Sequence, residues 1–412
     1  MSKVLIIGHH WPEPTTTAAG HRMVQLIEAF SHFGWSVTFV STASKTEYSL
    51  NLKKLGVETA SIQLNHFSFD DFIKELNPQY VVFDRFMVEE QFGWRVAEHA
   101  PKAIQILNTE DLHSLRKTRE AYHKKGEEFT LEKWKGGDIT KREIASIYRS
   151  DLSLMISKFE MITLLEELQI PENLLMHLPF MMEEVTKTTQ AKWPSFKERK
   201  DFITYGNGKH KPNVDAIIYL KETIWPLIRE KLPKADLKVY GAYLPQQIKQ
   251  MHAPQEGFHV LGWIENLDVE IQKARIVLAP LRFGAGIKGK ITDALKNGTP
   301  VVTTKIGEEG MSLNLPSIQS VENNDPKTFM DCAVQLYSTR ELWCEAQKQG
   351  LESINVQYSK TKHQQRLQKT LEGISESILK HRNENFIGAL LQHQSMVATK
   401  YMGKWIEEKN RG

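Results

Sequence analysis

At 412 residues the chain is longer than one hydrophobic core usually supports, so two domains are expected. Its 41% apolar and 25% charged residues are ordinary for a globular protein, and a net charge of only +3 argues against a dedicated nucleic-acid binder. Two cysteines, Cys332 and Cys344, give no disulfide framework or metal cluster and fit a reducing compartment, while no apolar run approaches the roughly 18 residues of a membrane span.

A strand is expected almost at once, at Val4–Ile7, which leaves no room for a signal peptide and points to a soluble, cytoplasmic protein. Short β-rich runs then alternate with helical periodicity, the pattern of βα units around parallel sheets. Further strands are expected at Val37–Val40, Tyr80–Phe83, Ile104–Leu107, Leu152–Ile156 and Leu174–Leu178. Most are continuous apolar runs, as strands covered on both faces require. The first helix carries Met23, Val24, Ile27 and Phe30 on one face, with Gly34 where a C-cap belongs. A charged segment from Lys117 to Lys141, holding Gly136 and Gly137, interrupts the alternation and reads as a mobile excursion.

Residues 183–198 are polar, threonine-rich and broken by Pro194, and read as a linker. Alternation restarts at Phe202–Tyr205 and continues through Leu237–Tyr240, Phe258–Leu261, Ile276–Ala279 and Val301–Thr303; after Pro326 the chain reads as helical. The expected organisation is therefore a first Rossmann-like domain at 1–182, a second at 199–360, and C-terminal helices at 361–412. Ile387, Leu390, Leu391, Met402, Trp405 and Ile406 have spacings suited to helices packed back on the first domain. Two such sheets imply a cleft, with ligands at the carboxyl ends of strands. Gly8, Gly206, Gly241, Gly262 and Gly284 all fall at or just after expected strand ends.

The most informative stretch is Val277 to Gly310, which reads as strand, glycine-rich turn, helix, strand and second glycine-rich turn. Gly284, Ala285 and Gly286 allow the backbone a tight turn close to a ligand. Lys288 and Lys290 flank Gly289 where the helix begins. Free N–H groups, the positive end of the helix dipole and two ammonium groups together make an anion site, most simply for a diphosphate. Asp293, one turn later, suits a ribose hydroxyl pair. Arg282 either joins the lysines or pairs with a local carboxylate. Glu309, in the Gly307–Gly310 loop, is a candidate contact for a sugar. This is neither a P-loop nor a GxGxxG fingerprint.

Polar clusters also end the first-domain strands. His9 and His10 follow the first strand, and Asp84, Arg85, Glu89 and Glu90 follow the third expected one. Asn108, Glu110, Asp111, His113 and Arg116 crowd the end of Ile104–Leu107, with His113 the candidate for a catalytic or acceptor-side contact. No D-x-D follows a strand, no Cys/His cluster has zinc spacing, and no GxSxG elbow occurs, so no metal site is expected.

These pieces resemble retaining glycosyltransferases of the GT-B fold, close to the family-4 group. The resemblance rests on KVLIIGHHWPEPTTTAAGHRM, YGNGKHKPNVDAIIYLKETIWPLI, KVYGAYLP, FHVLGWIENLDVEIQKARIVLAPL, RFGAGIKGK and DALKNGTPVV. It implies an α/β protein of two Rossmann-like doubly wound domains across a cleft, with the C-terminal extension. It also implies a nucleotide-diphosphate sugar as donor, no cofactor, and a glycan, lipid-linked or small-molecule acceptor. Donor contacts implied by position are Gly20, Arg22, Gly206, Asn207, Gly262 and Trp263, beside Arg282, Gly284, Gly286, Asp293 and Glu309. Lys288 and Lys290 would stabilise the leaving diphosphate. The family often carries two glutamates eight positions apart; here Ala285 and Asp293 occupy those positions. A sugar-nucleotide epimerase and a catalytically silent sugar-nucleotide-binding protein stand as alternatives. The run Lys117–Lys135 reads as a solvated face or as a weak peripheral membrane patch.

Overall fold

The computed structural model describes residues 2–311 and 318–410, which form two parallel sheets. The first contains β1 (Lys3–Gly8), β2 (Ser36–Ser41), β3 (Glu58–Ser61), β4 (Tyr80–Asp84), β5 (Ile104–Asn108), β6 (Leu152–Met155) and β7 (Leu175–His177). Their order is β3-β2-β1-β4-β5-β6-β7. The second contains β8 (Lys200–Tyr205), β9 (Leu237–Tyr240), β10 (Phe258–Gly262), β11 (Ala274–Ala279), β12 (Val301–Thr304) and β13 (Ile318–Val321), ordered β10-β9-β8-β11-β12-β13.

Strand alternation explains why both faces are helix-covered. Val4 and Ile6 join one buried cluster with Phe39, Val82 and Ile106, whereas Leu5 and Ile7 join another with Val40, Val81 and Phe83. The second sheet repeats the arrangement, with Phe202, Val239 and Ile276 on one side and Ile203, Tyr240 and Val277 on the other. Both sheets reverse strand order, between β1 and β4 and between β8 and β11. Each reversal opens a crevice at the carboxyl ends of its strands, where open α/β sheets bind ligands. The edge strands β3 and β13 had no clear signal: Glu-Thr-Ala-Ser and Ile-Gln-Ser-Val lack the apolar runs of the central strands.

The chain crosses between domains twice at one spot. The Met182 N–H donates to the Tyr358 carbonyl at 2.7 Å, and the Lys360 N–H donates to the Met182 carbonyl at 2.9 Å. Beyond that crossing, the helix Lys360–Glu376 sets Leu367, Leu371 and Ile374 into a first-domain core cluster. The tail helices Phe386–Leu391 and Val397–Lys409 then lie against Asp138–Arg149 and Phe86–His99. They do so with a different face from the one their apolar residues suggest. Ile387, Leu390, Met402 and Trp405 remain 46%, 45%, 66% and 64% exposed, while Gly388, Met396 and Gly403 are buried.

The charged excursion is helical: His113–Lys125, Leu131–Lys135 and Asp138–Arg149. One residue anchors it: Trp134 is fully buried and donates from Nε1 to Ser114 Oγ at 2.8 Å. Both Glu143 oxygens cap the first of these helices by accepting from the His113 and Ser114 N–H groups at 2.8 and 2.9 Å. The segment thereby reaches the second domain, where Arg119 clasps Glu309.

Candidate functional site

Both strand reversals face one interdomain cavity of about 820 Å³. This volume is in the range of sites that engulf a small-molecule ligand. One wall comes from the ends of β1, β4 and β5 and contributes His9, His10, Asp84, Arg85, Glu110 and His113. The other comes from the ends of β8 and β11 and contributes Gly206, Asn207, Gly284, Gly286, Lys288 and Lys290.

The Gly284–Lys290 turn is shaped by its glycines. Gly286 has φ of +67°, and a Cβ there would come within 2.9 Å of the Asp111 Cβ across the cleft. A side chain at this position would strain the backbone and hold the domains apart. The turn leads into the helix Gly289–Lys296, for which Lys288 is the N-cap residue. The Lys288 ammonium donates to the Gly286 carbonyl at 2.8 Å, folding the side chain over the turn. Burial holds its pKa below the usual lysine value, against the opposing pull of Glu309 and Glu160. The Lys290 ammonium has no hydrogen bond or ion pair among the described residues, and burial lowers its pKa to about 8. An anion between the two domains would relieve both shifts.

Asp293, one turn along, also lines the cavity. Burial, reinforced by nearby Asp268, pushes its carboxyl up to about 7. Its carboxylate makes no hydrogen bond among the described residues, although the Lys296 charge is near, which leaves it available to ligand hydroxyls. Trp263 is 39% exposed at the cavity, its indole N–H on the Thr15 carbonyl at 3.4 Å and its ring 5.1 Å from Tyr48. It offers a flat face to a base. Asn207 spans the cleft from Nδ2 to the Thr16 carbonyl at 3.4 Å.

The first-domain wall is strained. Arg85 has φ +76° and ψ 157°, a region that glycine almost alone adopts, and Glu110 has φ +61°. Both lie at strand ends facing the cavity. Arg22 donates from Nε to Asn108 Oδ1 at 2.9 Å, and Asn108 Nδ2 donates to Glu110 Oε1 at 2.8 Å. This buried relay fixes the Glu110 carboxyl. Burial raises it to about 7, against the attraction of Arg22. In neighbouring Asp84, Oδ2 accepts from the His9 N–H at 3.1 Å while the buried Oδ1 has no partner. His113 also lines the cavity, its Nδ1 2.6 Å from an Arg116 nitrogen, and burial with Arg116 nearby lowers it to about 4.

Several residues expected at the donor lie outside the cavity lining. Arg22 is fully buried and bonded to Asn108 and to the Leu178 carbonyl at 2.6 Å, so it braces the wall from behind. Arg282 is held by both oxygens of Asp215, at 2.9 and 2.6 Å, and stacks on Tyr219. Of its two sequence readings, the local carboxylate wins. Glu309 receives two hydrogen bonds from Arg119 at 2.6 and 2.8 Å, which makes it part of a domain clasp. The Gly262 carbonyl accepts from the Gly241 N–H at 2.8 Å, which ties the end of β10 to the end of β9. Gly20, Gly206, Asn207, Trp263, Gly284, Gly286, Lys288, Lys290, Asp293 and His113 do line the cavity.

Sequence reasoning missed the clasp. Arg119 also donates to the Gly284 carbonyl at 2.9 Å, and Glu160 Oε1 accepts from the Gly286 N–H at 2.6 Å. Both contacts run from the first domain onto the second domain's turn. Nothing local in the sequence marks them, because the partners lie more than a hundred residues apart. Among the described residues, no group of three or more His, Cys, Asp or Glu is arranged to hold a metal ion.

Residues 199–339 match the family model described as Glycosyl transferases group 1. No curated protein sequence matches the chain. The fold is similar to sucrose-phosphate synthase from Thermosynechococcus elongatus, with TM-score 0.67 at 12% identity over 92% of this chain and 100% of that one. It is also similar to a mutant of TarM from S. aureus in complex with fondaparinux, α-GlcNAc-glycerol and UDP, with TM-score 0.69 at 10% identity over 90% and 100%. HepE from Anabaena in complex with UDP and glucose gives TM-score 0.66 at 10% identity over 90% and 100%. The architecture is that of the GT-B glycosyltransferases, with helices added at the C-terminus.

Proposed function

We propose that this protein is a retaining glycosyltransferase that moves a sugar from a nucleotide-diphosphate sugar to an acceptor hydroxyl without a metal ion. One observation carries the reading: Lys288 and Lys290 stand at a glycine turn and helix start at the switch point of the second domain, lining the interdomain cavity. The family match over the same segment supports it. The diphosphate lies against the turn, Asp293 takes ribose hydroxyls, and Trp263 faces the base. The acceptor enters from the wall of Asp84, Glu110 and His113.

In the reaction, the bond from the anomeric carbon to the phosphate oxygen breaks and its electrons stay on the diphosphate. Lys288 and Lys290 stabilise that growing charge from positions already held at the turn, so that they need little reorganisation. The acceptor oxygen bonds to the anomeric carbon on the face the phosphate leaves, and its proton passes to the departing phosphate oxygen. Retention follows from that shared face. Two ammonium groups supply the charge that a metal would otherwise provide. The acceptor is a glycan, a lipid-linked sugar or a small molecule. No described helix is long and apolar enough to cross a membrane, and both cysteines are free, which suits a reducing compartment.

A second reading, sugar-nucleotide epimerisation, draws on the adjacent carboxyls of Asp84 and Glu110, one of them raised to about 7. Acid–base chemistry at a sugar carbon needs such a pair. A thermal-shift screen of nucleotide sugars, followed by incubation with donor alone and with acceptors, tests the proposal. A ligand at 100 times its Kd stabilises by about 2.7 kcal/mol. Sugar transferred only when an acceptor is present supports the transferase, whereas epimerised donor without acceptor supports the second reading. Nucleotide binding with no turnover across a broad acceptor set would make the protein a silent binder.

A further inference from the structure

We infer that His210, on the loop after β8, is a third side-chain contact for the donor diphosphate, beside Lys288 and Lys290. The inference rests on the reading of the second-domain wall as a nucleotide-sugar site, and adds to it a residue from a different loop. Strands β8 and β11 are neighbours across the strand reversal, so the loops leaving their carboxyl ends lie side by side. The Tyr205 hydroxyl, at the end of β8, donates to the Lys290 carbonyl at 2.7 Å and ties one loop to the other. The loop from Gly206 to His210 is itself held in place. The Gly208 N–H donates to the Ala242 carbonyl at 2.9 Å, and Asn213 Nδ2 donates to the Asn207 carbonyl at 3.1 Å. A Cβ on Gly208 would strike the Tyr243 carbonyl, so the backbones approach here as only glycine allows.

His210 ends this loop as the N-cap residue of the helix Lys211–Tyr219, and it lines the cavity with Asn207, Pro212 and Asn213. At an N-cap, Ser, Thr, Asp or Asn would accept from the first-turn N–H groups. The His210 ring makes no such bond, nor any other hydrogen bond, ion pair or ring contact among the described residues. Local structure therefore gives no reason for a histidine here. A departure from local preference with no compensating contact is expected where a residue serves a ligand.

The surroundings select the ligand. The ring is open to the cleft, yet desolvation, with Arg116 next, lowers its pKa to about 3, so it is neutral and brings one N–H to the cavity. Lys290 and Lys288 of its own domain also act on it, and Asp111 opposes them from the facing wall. Arg116 and Asp111 offset each other as an ion pair at 2.6 Å, so the remaining field at the ring is that of the two lysines. A sugar hydroxyl would leave that charge unmatched. A diphosphate offers oxygens to both ammonium groups and to the imidazole N–H, and a hydrogen bond to an ionised oxygen is the stronger kind. As the bond to the anomeric carbon breaks, charge grows on the phosphate and the His210 hydrogen bond strengthens with it.

The test is isothermal titration of inorganic pyrophosphate and of UDP into the wild type, Lys290→Ala, His210→Ala and His210→Gln. The wild type should bind both ligands. His210→Ala should keep the wild-type Tm without ligand and weaken both ligands by a similar factor, about 10- to 150-fold. His210→Gln, whose amide again supplies an N–H donor, should recover most of that loss. Wild-type affinity for pyrophosphate in His210→Ala, beside a loss in Lys290→Ala, would overturn the inference and leave the donor site standing. A His210→Ala protein that transfers sugar more slowly while both affinities hold would also overturn it, by assigning the ring to the acceptor. A lower Tm in both His210 variants would make the ring structural and overturn it as well. A wild type that binds neither ligand would overturn the inference together with the donor-site reading.

Discussion

Replacing Lys290 with alanine tests the anion site at its least committed charge. The Lys290 ammonium has no partner among the described residues, and burial lowers its pKa to about 8. A charge-assisted contact to a diphosphate is worth about 1.5–3 kcal/mol, roughly 10- to 150-fold in affinity. Lys290→Ala should therefore weaken UDP by that factor at neutral pH, with Tm unchanged in the absence of ligand. The pH dependence has a definite sign. Burial depresses the pKa and a bound anion raises it, so binding takes up a proton once the pH passes about 8. Affinity is full below that pH and falls by up to about tenfold per pH unit above it, until the bound-state pKa is reached. Isothermal titration across this window, in buffers of different ionisation enthalpy, reads both the affinity and the proton count. Buried Lys288 titrates in the same direction, so the variant should show a shallower fall rather than a flat one. Wild-type affinity in Lys290→Ala, or an affinity in the wild type that does not change through pH 8, would refute the reasoning.

Asp293→Asn should weaken UDP by about tenfold and leave inorganic pyrophosphate nearly unaffected, because only the former carries ribose hydroxyls. Equal losses for both ligands in calorimetry would remove the ribose assignment. Glu110, raised to about 7, should make transfer fall as pH drops through 7, since protonation removes its acceptor character. Glu110→Gln should abolish that acidic limb of the kcat/KM profile, and a limb retained in the variant would exclude Glu110 as its source. Arg119→Ala leaves Glu309, 14% exposed, without its partner. Breaking such a pair costs up to about 3–5 kcal/mol, discounted for its residual contact with solvent. We expect a lower Tm or a larger radius of gyration by small-angle scattering as the domains open. A variant unchanged in both would show that the clasp contributes little.

Central strands were legible because burial on both faces writes itself as unbroken apolar runs such as Val-Leu-Ile-Ile and Val-Leu-Ala. The Gly284–Lys290 turn was legible because a tight turn into a helix start needs glycines, and both glycines and both lysines stand within a few consecutive residues. Contacts across the cleft left no such trace. Arg282 and Glu309 carry the charges a donor site wants, but their partners, Asp215 and Arg119, come from distant segments and take them out of the cavity. The excursion from Lys117 to Lys141 looked mobile because its order depends on Trp134 alone among its large apolar side chains being fully buried. In the tail, apolar spacing predicted the helices but not the docked face, which small residues, Gly388 and Gly403, supply. Helical periodicity identifies a face and says nothing about which of two faces meets the protein.

The most direct test of the central claim is product analysis after mixing the protein with a nucleotide-diphosphate sugar and an acceptor panel in the presence of a chelator. The account predicts transfer to an acceptor hydroxyl, with the donor's anomeric configuration in the product by NMR and release of the nucleoside diphosphate. Epimerised donor in the absence of acceptor, an inverted linkage, or activity abolished by the chelator would contradict it.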